Sequence, residues 1–147
     1  MPQPVRFRDS DAIEAAAALL AATGEFVEVS VGRPLGRSGV AADRAPLARL
    51  VPRGWDEDDL DRDAGLRRVA FEIVLAVRDD DPGRGLDRLD RLGSLARDAI
   101  RGADLGGGCI PALTRARLGR LDRGRKPPEL RSTLLAEFAY LVSPPGG

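Results

Sequence analysis

Between residues 67 and 100 the apolar period changes. In RRVAFEIVLAV, Val69, Phe71, Ile73, Leu75 and Val77 alternate with Ala70, Glu72, Val74, Ala76 and Arg78. A period of two gives a strand one apolar and one mixed face, and so predicts a sheet covered on one side. After the Asp-Pro-Gly turn, Leu86, Leu89, Leu92, Ala96, Ala99 and Ile100 recur at three- and four-residue spacing. This predicts a helix of about four turns whose stripe supplies the cover.

Elsewhere the pattern is punctuated by caps and turns. Asp11 and Glu14 have capping-box spacing and Gly24 stands where a helix would end, so residues 11 to 22 read as a helix with Ile13, Ala17 and Leu20 on one side. EFVEVSV, 25 to 31, alternates as a strand with Phe26 opposed to Val27, Val29 and Val31, and PLARLVP, 46 to 52, reads as a proline-bounded edge strand. Three mobile loops are expected, at about 32–45, 53–65 and 120–129, where Gly, Arg, Pro or charge dominates. CIPALTRARLGRL, 109 to 121, and the alternating LRSTLLAEFAYLV, 130 to 142, close the chain, the latter built like the strand at 68 to 78 and expected beside it. The predicted order is helix, two or three strands, helix, two strands. That is an α+β class with a single mixed or antiparallel sheet of about four to five strands and two helices on one face.

Length fits one domain over residues 1 to 147, and the balance of 43% hydrophobic and 31% charged residues is that of a soluble globular chain. Only 4% of residues are aromatic, so Leu, Val, Ile and Ala must build the core. Net charge is zero but uneven: residues 105–147 carry seven basic and three acidic side chains, against 16 and 20 in the remainder. A dipolar distribution of this kind suits head-to-tail contact between copies. All but one of the basic residues are Arg, Lys126 being the exception, which reads as genome composition before function. The lone Cys109 cannot form an internal disulfide, so an intracellular setting is expected, and no apolar run approaches the roughly 18 residues of a membrane span. AAAALLAA, 15 to 22, does not read as a signal-peptide core, because Asp9, Asp11 and Glu14 interrupt the approach to it.

Candidate chemistry is sparse. With no His, the serine and cysteine triads and the commonest zinc ligand are removed. Asp79, Asp80 and Asp81 could hold magnesium at a strand end, but Asp before Pro-Gly is ordinary turn and cap chemistry. Asp59, Asp61 and Asp63 begin a calcium-loop pattern that then fails, with Ala64 at its glycine and Ala70 at its bidentate glutamate. GRPLGRSG, 32 to 39, and GGGC, 106 to 109, lack phosphate-loop spacing. Metal, cofactor and catalytic residues are therefore expected to be none. Cys109 reads as a small buried hydrophobe and Trp55 as a partner anchor or a core-edge residue. Arg115, Arg117, Arg120, Arg123, Arg125 and Lys126 form a basic window with no aromatic to stack on bases, against sequence-specific nucleic-acid binding.

One resemblance spans nearly the whole chain, in element order and strand flavour. A helix leading into FVEVSVG, the proline-flanked APLARLVPRG, the strand RRVAFEIVLAV, the helix LDRLDRLGSLARDAI and the closing LRSTLLAEFAYLV resemble the small tail terminator, or tail completion, proteins of tailed bacteriophages and prophages. The resemblance implies a ring, commonly hexameric, on the tail tube in the virion tail, assembled in the host cytoplasm. It further implies the tail tube protein and the head connector as partners beside the protein itself, with no membrane, no cofactor and no bond chemistry. A closed ring needs two different patches on one subunit. By charge complementarity these are the acidic loop 56 to 63, with Asp56, Asp58 and Asp59, and the basic window 115 to 126, with Trp55 beside the loop as a further candidate interface residue. A small dimeric cytoplasmic ligand-binding or regulatory domain is the alternative, and an aspartate enzyme the third reading.

Overall fold

The computed structural model describes residues 9–36, 39–59, 65–101, 110–122 and 127–142. The elements are α1 (Asp9–Ala22), β1 (Glu28–Val31), a 3₁₀ turn (Ala42–Arg44), β2 (Leu47–Asp59), β3 (Gly65–Arg78), α2 (Pro82–Arg101), β4 (Ile110–Asp122) and β5 (Glu129–Val142). They form one mixed five-stranded sheet in the order β1-β2-β3-β5-β4, in which β1 and β2 run parallel and the other pairs antiparallel. The two strands of like sequence are neighbours: β3 and β5 pair over their full length, from Gly65 with Val142 to Arg78 with Glu129.

The apolar face of β3 is the centre of the core. Val69, Phe71, Ile73, Leu75 and Val77 join Leu130, Leu134, Ala136 and Phe138 of β5, Ala48 and Leu50 of β2, Ile13, Ala16 and Leu20 of α1, and Leu89, Leu92, Ala96 and Ile100 of α2. Both helices therefore lie on one face of the sheet. Phe71 and Phe138 meet edge to face with ring centroids 5.1 Å apart, an arrangement that the ring quadrupoles favour.

α2 approaches the sheet most closely at Gly85, where a Cβ would stand 2.9 Å from Leu130 Cδ1 and 3.4 Å from Asp79 Cβ. Its stripe differs from the expected one at this point. Leu86 is 41% exposed while Gly85 is buried, because only a residue without a side chain lets the helix seat on Leu130. The helix is 20 residues long, about five and a half turns rather than four.

Three other boundaries differ from expectation. α1 begins at Asp9, so Asp11 falls inside the first turn instead of capping it; its end is as expected, with Gly24 at φ 72° donating its N–H to the Ala21 carbonyl. β1 starts only at Glu28, and Phe26 packs with Val29 against the same core rather than on the opposite face, while Val27 is 62% exposed. β2 is not an edge strand, since β1 and β3 flank it. β1 pairing stops at Leu50, however, so Pro52, which has no N–H to give, stands where β1 no longer flanks β2.

The strands outrun the helices. Beyond the Val69–Phe138 rung, the last to contribute to the main core among the described residues, β3 continues for four residues to Gly65, paired on one side with β2 to Asp59 and on the other with β5 to Val142. From this end to the Arg78–Glu129 rung the sheet spans about 43 Å at 3.3 Å per residue, against about 30 Å for α2.

Two substitutions test this packing. Phe71→Ala is expected to cost about 3–5 kcal/mol in denaturant unfolding, as a large cavity at a fully buried ring does. Gly85→Val should cost about 1–3 kcal/mol by pushing α2 off Leu130. Gly85→Val at wild-type stability would show that the close approach is not a constraint.

Candidate functional site

The acidic segment is a strand as far as Asp59, not a loop. β2 slips register between Pro52 and Gly54, and Gly54 has φ 131°, a conformation that side chains rarely adopt. This bulge leaves Arg53 as the extra residue and resets the alternation. The pairs that follow are Trp55 with Val69, Asp56 with Arg68, Glu57 with Arg67, Asp58 with Leu66 and Asp59 with Gly65. Asp56 and Glu57 are thus registered opposite arginines of their own chain, an order that opposite charges favour across a strand pair. Asp58 and Asp59 are not. Arg53 pairs with Glu72 at 2.5 Å, and Arg68 lies 3.8 Å from Glu137.

The basic window begins in the edge strand β4, so the expected loop at 120–129 is strand through Asp122 and again from Glu129. Arg115 is registered with Leu135 and Arg117 with Thr133, and Arg120 falls in the irregular stretch between Leu118 and Leu121. Asp56 and Arg115 stand four rungs apart along the sheet and three strands apart across it, about 20 Å from rise and spacing. That exceeds the roughly 8 Å screening length at physiological salt. From there β4 runs further away, to Asp122 beside Glu129 at the other end. The two surfaces nominated from the sequence therefore belong to different parts of one subunit. Arg123, Arg125, Lys126, Asp61, Asp63, Cys109 and the run 106–109 lie outside the described residues.

Asp79, Asp80 and Asp81 do corner work. Asp81 caps α2: its Oδ1 accepts the Gly83 N–H at 3.0 Å, its carbonyl accepts the Gly85 N–H, and Pro82 takes the first helical position. Asp79 is buried, accepts the Asp81 N–H at 2.9 Å and both carboxylate contacts of Arg84 Nε at 3.0 Å, with Arg88 3.6 Å away. The Arg84 hydrogen bond first, then the Asp81 amide, hold its carboxyl at about 2 against an ordinary 3.8, although burial works the other way. Among the described residues no group of three or more Cys, Asp or Glu is placed to hold a metal ion.

In the Gly-Arg segment 32–45, expected to be a mobile loop, Leu35, Val40 and Ala45 pack on the far face of the sheet, while Arg37 and Ser38 lie outside the described residues. Val40 is 1% exposed and clusters with Leu47 and Ala76, with Leu35 and Ala45 alongside. Four side chains hold it through backbone atoms. Glu129 Oε1 accepts the Val40 N–H at 2.5 Å, and Arg78 donates to the Val40 carbonyl at 2.6 Å. Arg131 donates to the Leu35 and Gly36 carbonyls at 3.3 and 3.0 Å, and Arg49 to that of Arg33 at 3.2 Å. Glu129 is itself buried and neutralised by Arg131 at 2.6 Å. Sequence reasoning missed this arrangement. The available signal was Arg78, Glu129 and Arg131 standing on the mixed face of otherwise apolar strands.

Comparison with known proteins gives no family assignment: no protein-family model matches the chain, and no curated protein matches it. Among solved structures it is similar to a chain of the virion of a native gene transfer agent (GTA) particle, at 19% identity over 91% of this chain and 92% of that chain, with a TM-score of 0.44.

Because the Asp79 carboxyl is depressed, its contribution to stability is complete above about pH 4 and is lost as pH falls through about 2. Unfolding midpoints measured from pH 5 to pH 2 should fall more steeply for the wild type than for Asp79→Asn. Parallel curves would show that the Arg84 contact does not hold in solution.

Proposed function

We propose that this chain is a structural subunit of a phage-type particle, acting at the tail as a terminator: a ring of copies that caps the tail tube, stops its growth and offers a surface to the head connector. The work is done by surfaces and not by bond chemistry, and no cofactor is required. One observation supports the reading: the acidic positions to Asp59 and the described part of the basic window, Arg115 and Arg117, stand at separate places in the register of one sheet, too far apart to satisfy each other. Between copies they are complementary, and contact between two different patches of one subunit generates a ring when the rotation closes. Element order adds support, since the helix, three strands, helix and closing strand that carry the tail terminator resemblance are all present, with β4 inserted before the last. The register narrows the acidic partner to Asp58 and Asp59, because Asp56 and Glu57 stand opposite Arg68 and Arg67. Trp55, registered with Val69 four positions from Asp59, is of a residue type suited to anchor the same contact.

Light scattering on the eluting protein tests this. The wild type is expected to rise with concentration to the mass of a ring. Arg115→Glu with Arg117→Glu should shift that rise to about tenfold higher concentration, the equivalent of about 1.4 kcal/mol per contact. Mixing this variant with Asp58→Arg/Asp59→Arg should restore mixed assemblies. A stable monomer or dimer at every concentration, or charge reversal without effect, would remove the reading.

A further inference from the structure

Two of the three large apolar side chains exposed among the described residues, Val27 and Val31, belong to one place, the β1 edge of the sheet. β1 has β2 on one side and, among the described residues, no strand on the other. Backbone groups that face away from β2 are therefore open to a further strand. Bonds to a parallel neighbour come from alternate residues, and Gly32, next after the pair Val31 with Leu50, donates its N–H to the Leu50 carbonyl at 3.0 Å. Ser30 and Gly32 thus face β2, while Val29 and Val31 turn their N–H and C=O outward. Charge at this edge is unbalanced. Among the described residues Arg49 is held by neutral oxygens alone, its Nε donating to Ser30 Oγ at 2.7 Å and its Nη1 to the Arg33 carbonyl at 3.2 Å. That Nη1 lies 3.5 Å from where a Cβ on Gly32 would stand. α1, which lies over β1 and β2, brings no further charge, since it carries no polar side chain from Ala15 to Ala22.

We propose that the β1 edge is a self-association site, to which β1 of a second copy adds antiparallel about a two-fold axis at Ser30. In that register Val29 of each copy stands opposite Val31 of the other, and each such pair exchanges N–H and C=O in both directions. On the helix side the exposed Val31 gains a branched apolar neighbour across the strands, a favoured pairing. On the far side Glu28 of the second copy stands opposite Gly32, where no side chain blocks its approach to Arg49. There it bridges that guanidinium and its own Arg44, its present partner at 2.5 Å. Moving the axis to Val29 or Val31 breaks the match of Val29 with Val31 and takes Glu28 away from Gly32. The edge is thus complementary to its own sequence, which selects a second copy over an unrelated strand. This contact is isologous and uses neither Asp58 and Asp59 nor Arg115 and Arg117. It does not rest on the tail reading; added to a closed ring, it would join rings in pairs.

Sedimentation velocity on Arg115→Glu/Arg117→Glu, in which ring growth is weakened, reads the two-fold contact alone. A monomer–dimer equilibrium is expected. Adding Val31→Pro, which removes an outward N–H and leaves the bonds to β2 in place, should move its midpoint to about tenfold higher concentration. Arg49→Glu should do the same, and Glu28→Arg combined with Arg49→Glu should restore the dimer, which a purely structural role of either residue would not do. Hydrogen exchange on unaltered protein gives a reading independent of variants. The Val29 and Val31 amides should exchange more slowly as concentration rises, while that of Ser30 is protected throughout. Monomer at every concentration, a dimer indifferent to Val31→Pro, or exchange at Val29 and Val31 that ignores concentration overturns the proposal. A dimer without rings in the wild type supports this contact and removes only the tail reading.

Discussion

The structure depends on the burial of one face of β3. Val69, Phe71, Ile73, Leu75 and Val77 are all but inaccessible to water, and every other element is placed by how it covers or extends that row. β5 and β2 prolong the row sideways, α1 and α2 lie over it, and the exchange of Leu86 for Gly85 at the helix contact shows how tightly the cover is drawn. At about 25 cal/mol per Å² of apolar area removed from water, a row of this kind is the dominant favourable contribution. Hydrogen bonds and ion pairs then decide arrangement more than net stability.

That dependence explains what could be read from the sequence. Strict alternation in β3 and β5, and the three-and-four spacing of α2, exposed the sheet, its covered face and the neighbouring of the two like strands. Those patterns record burial directly. Gly24 and the Asp81-Pro82 corner were legible because backbone sterics restrict such positions to few residues. What failed was composition taken as conformation. The acidic run to Asp59 is strand because β3 offers it a ladder and two arginines in register, and the Gly-Arg segment is packed because Glu129, Arg78 and Arg131 grip its main chain. Both are long-range conditions, absent from any local window. The candidate surfaces were legible as charge, but their separation on the sheet emerged only from register.

The two faces of the sheet have different characters. The helix-covered face is a conventional hydrocarbon interior. The other is a lattice of charged and polar side chains, with Arg53 on Glu72, Arg49 on Ser30 and Arg131 on Glu129, built over Val51, Val74, Leu47 and Ala76. Part of this face is closed by Leu35, Val40 and Ala45, while at Arg53 it reaches water. A protein working through several simultaneous surfaces gains from keeping each rigid, since less ordering is then required at each encounter.

The bulge at Arg53 and Gly54 has a consequence of parity. Before it, odd-numbered residues of β2 align with the far face; after it, even-numbered ones do, so Asp56 shares a rung with Arg68 and Trp55 with Val69. Were Arg53 to pair as an ordinary rung, every later position of β2 would exchange faces, whereas loss of that one extra residue would leave Gly54 opposite Ala70 and Trp55 opposite Val69. At this corner of the chain, spacing carries information that residue identity does not.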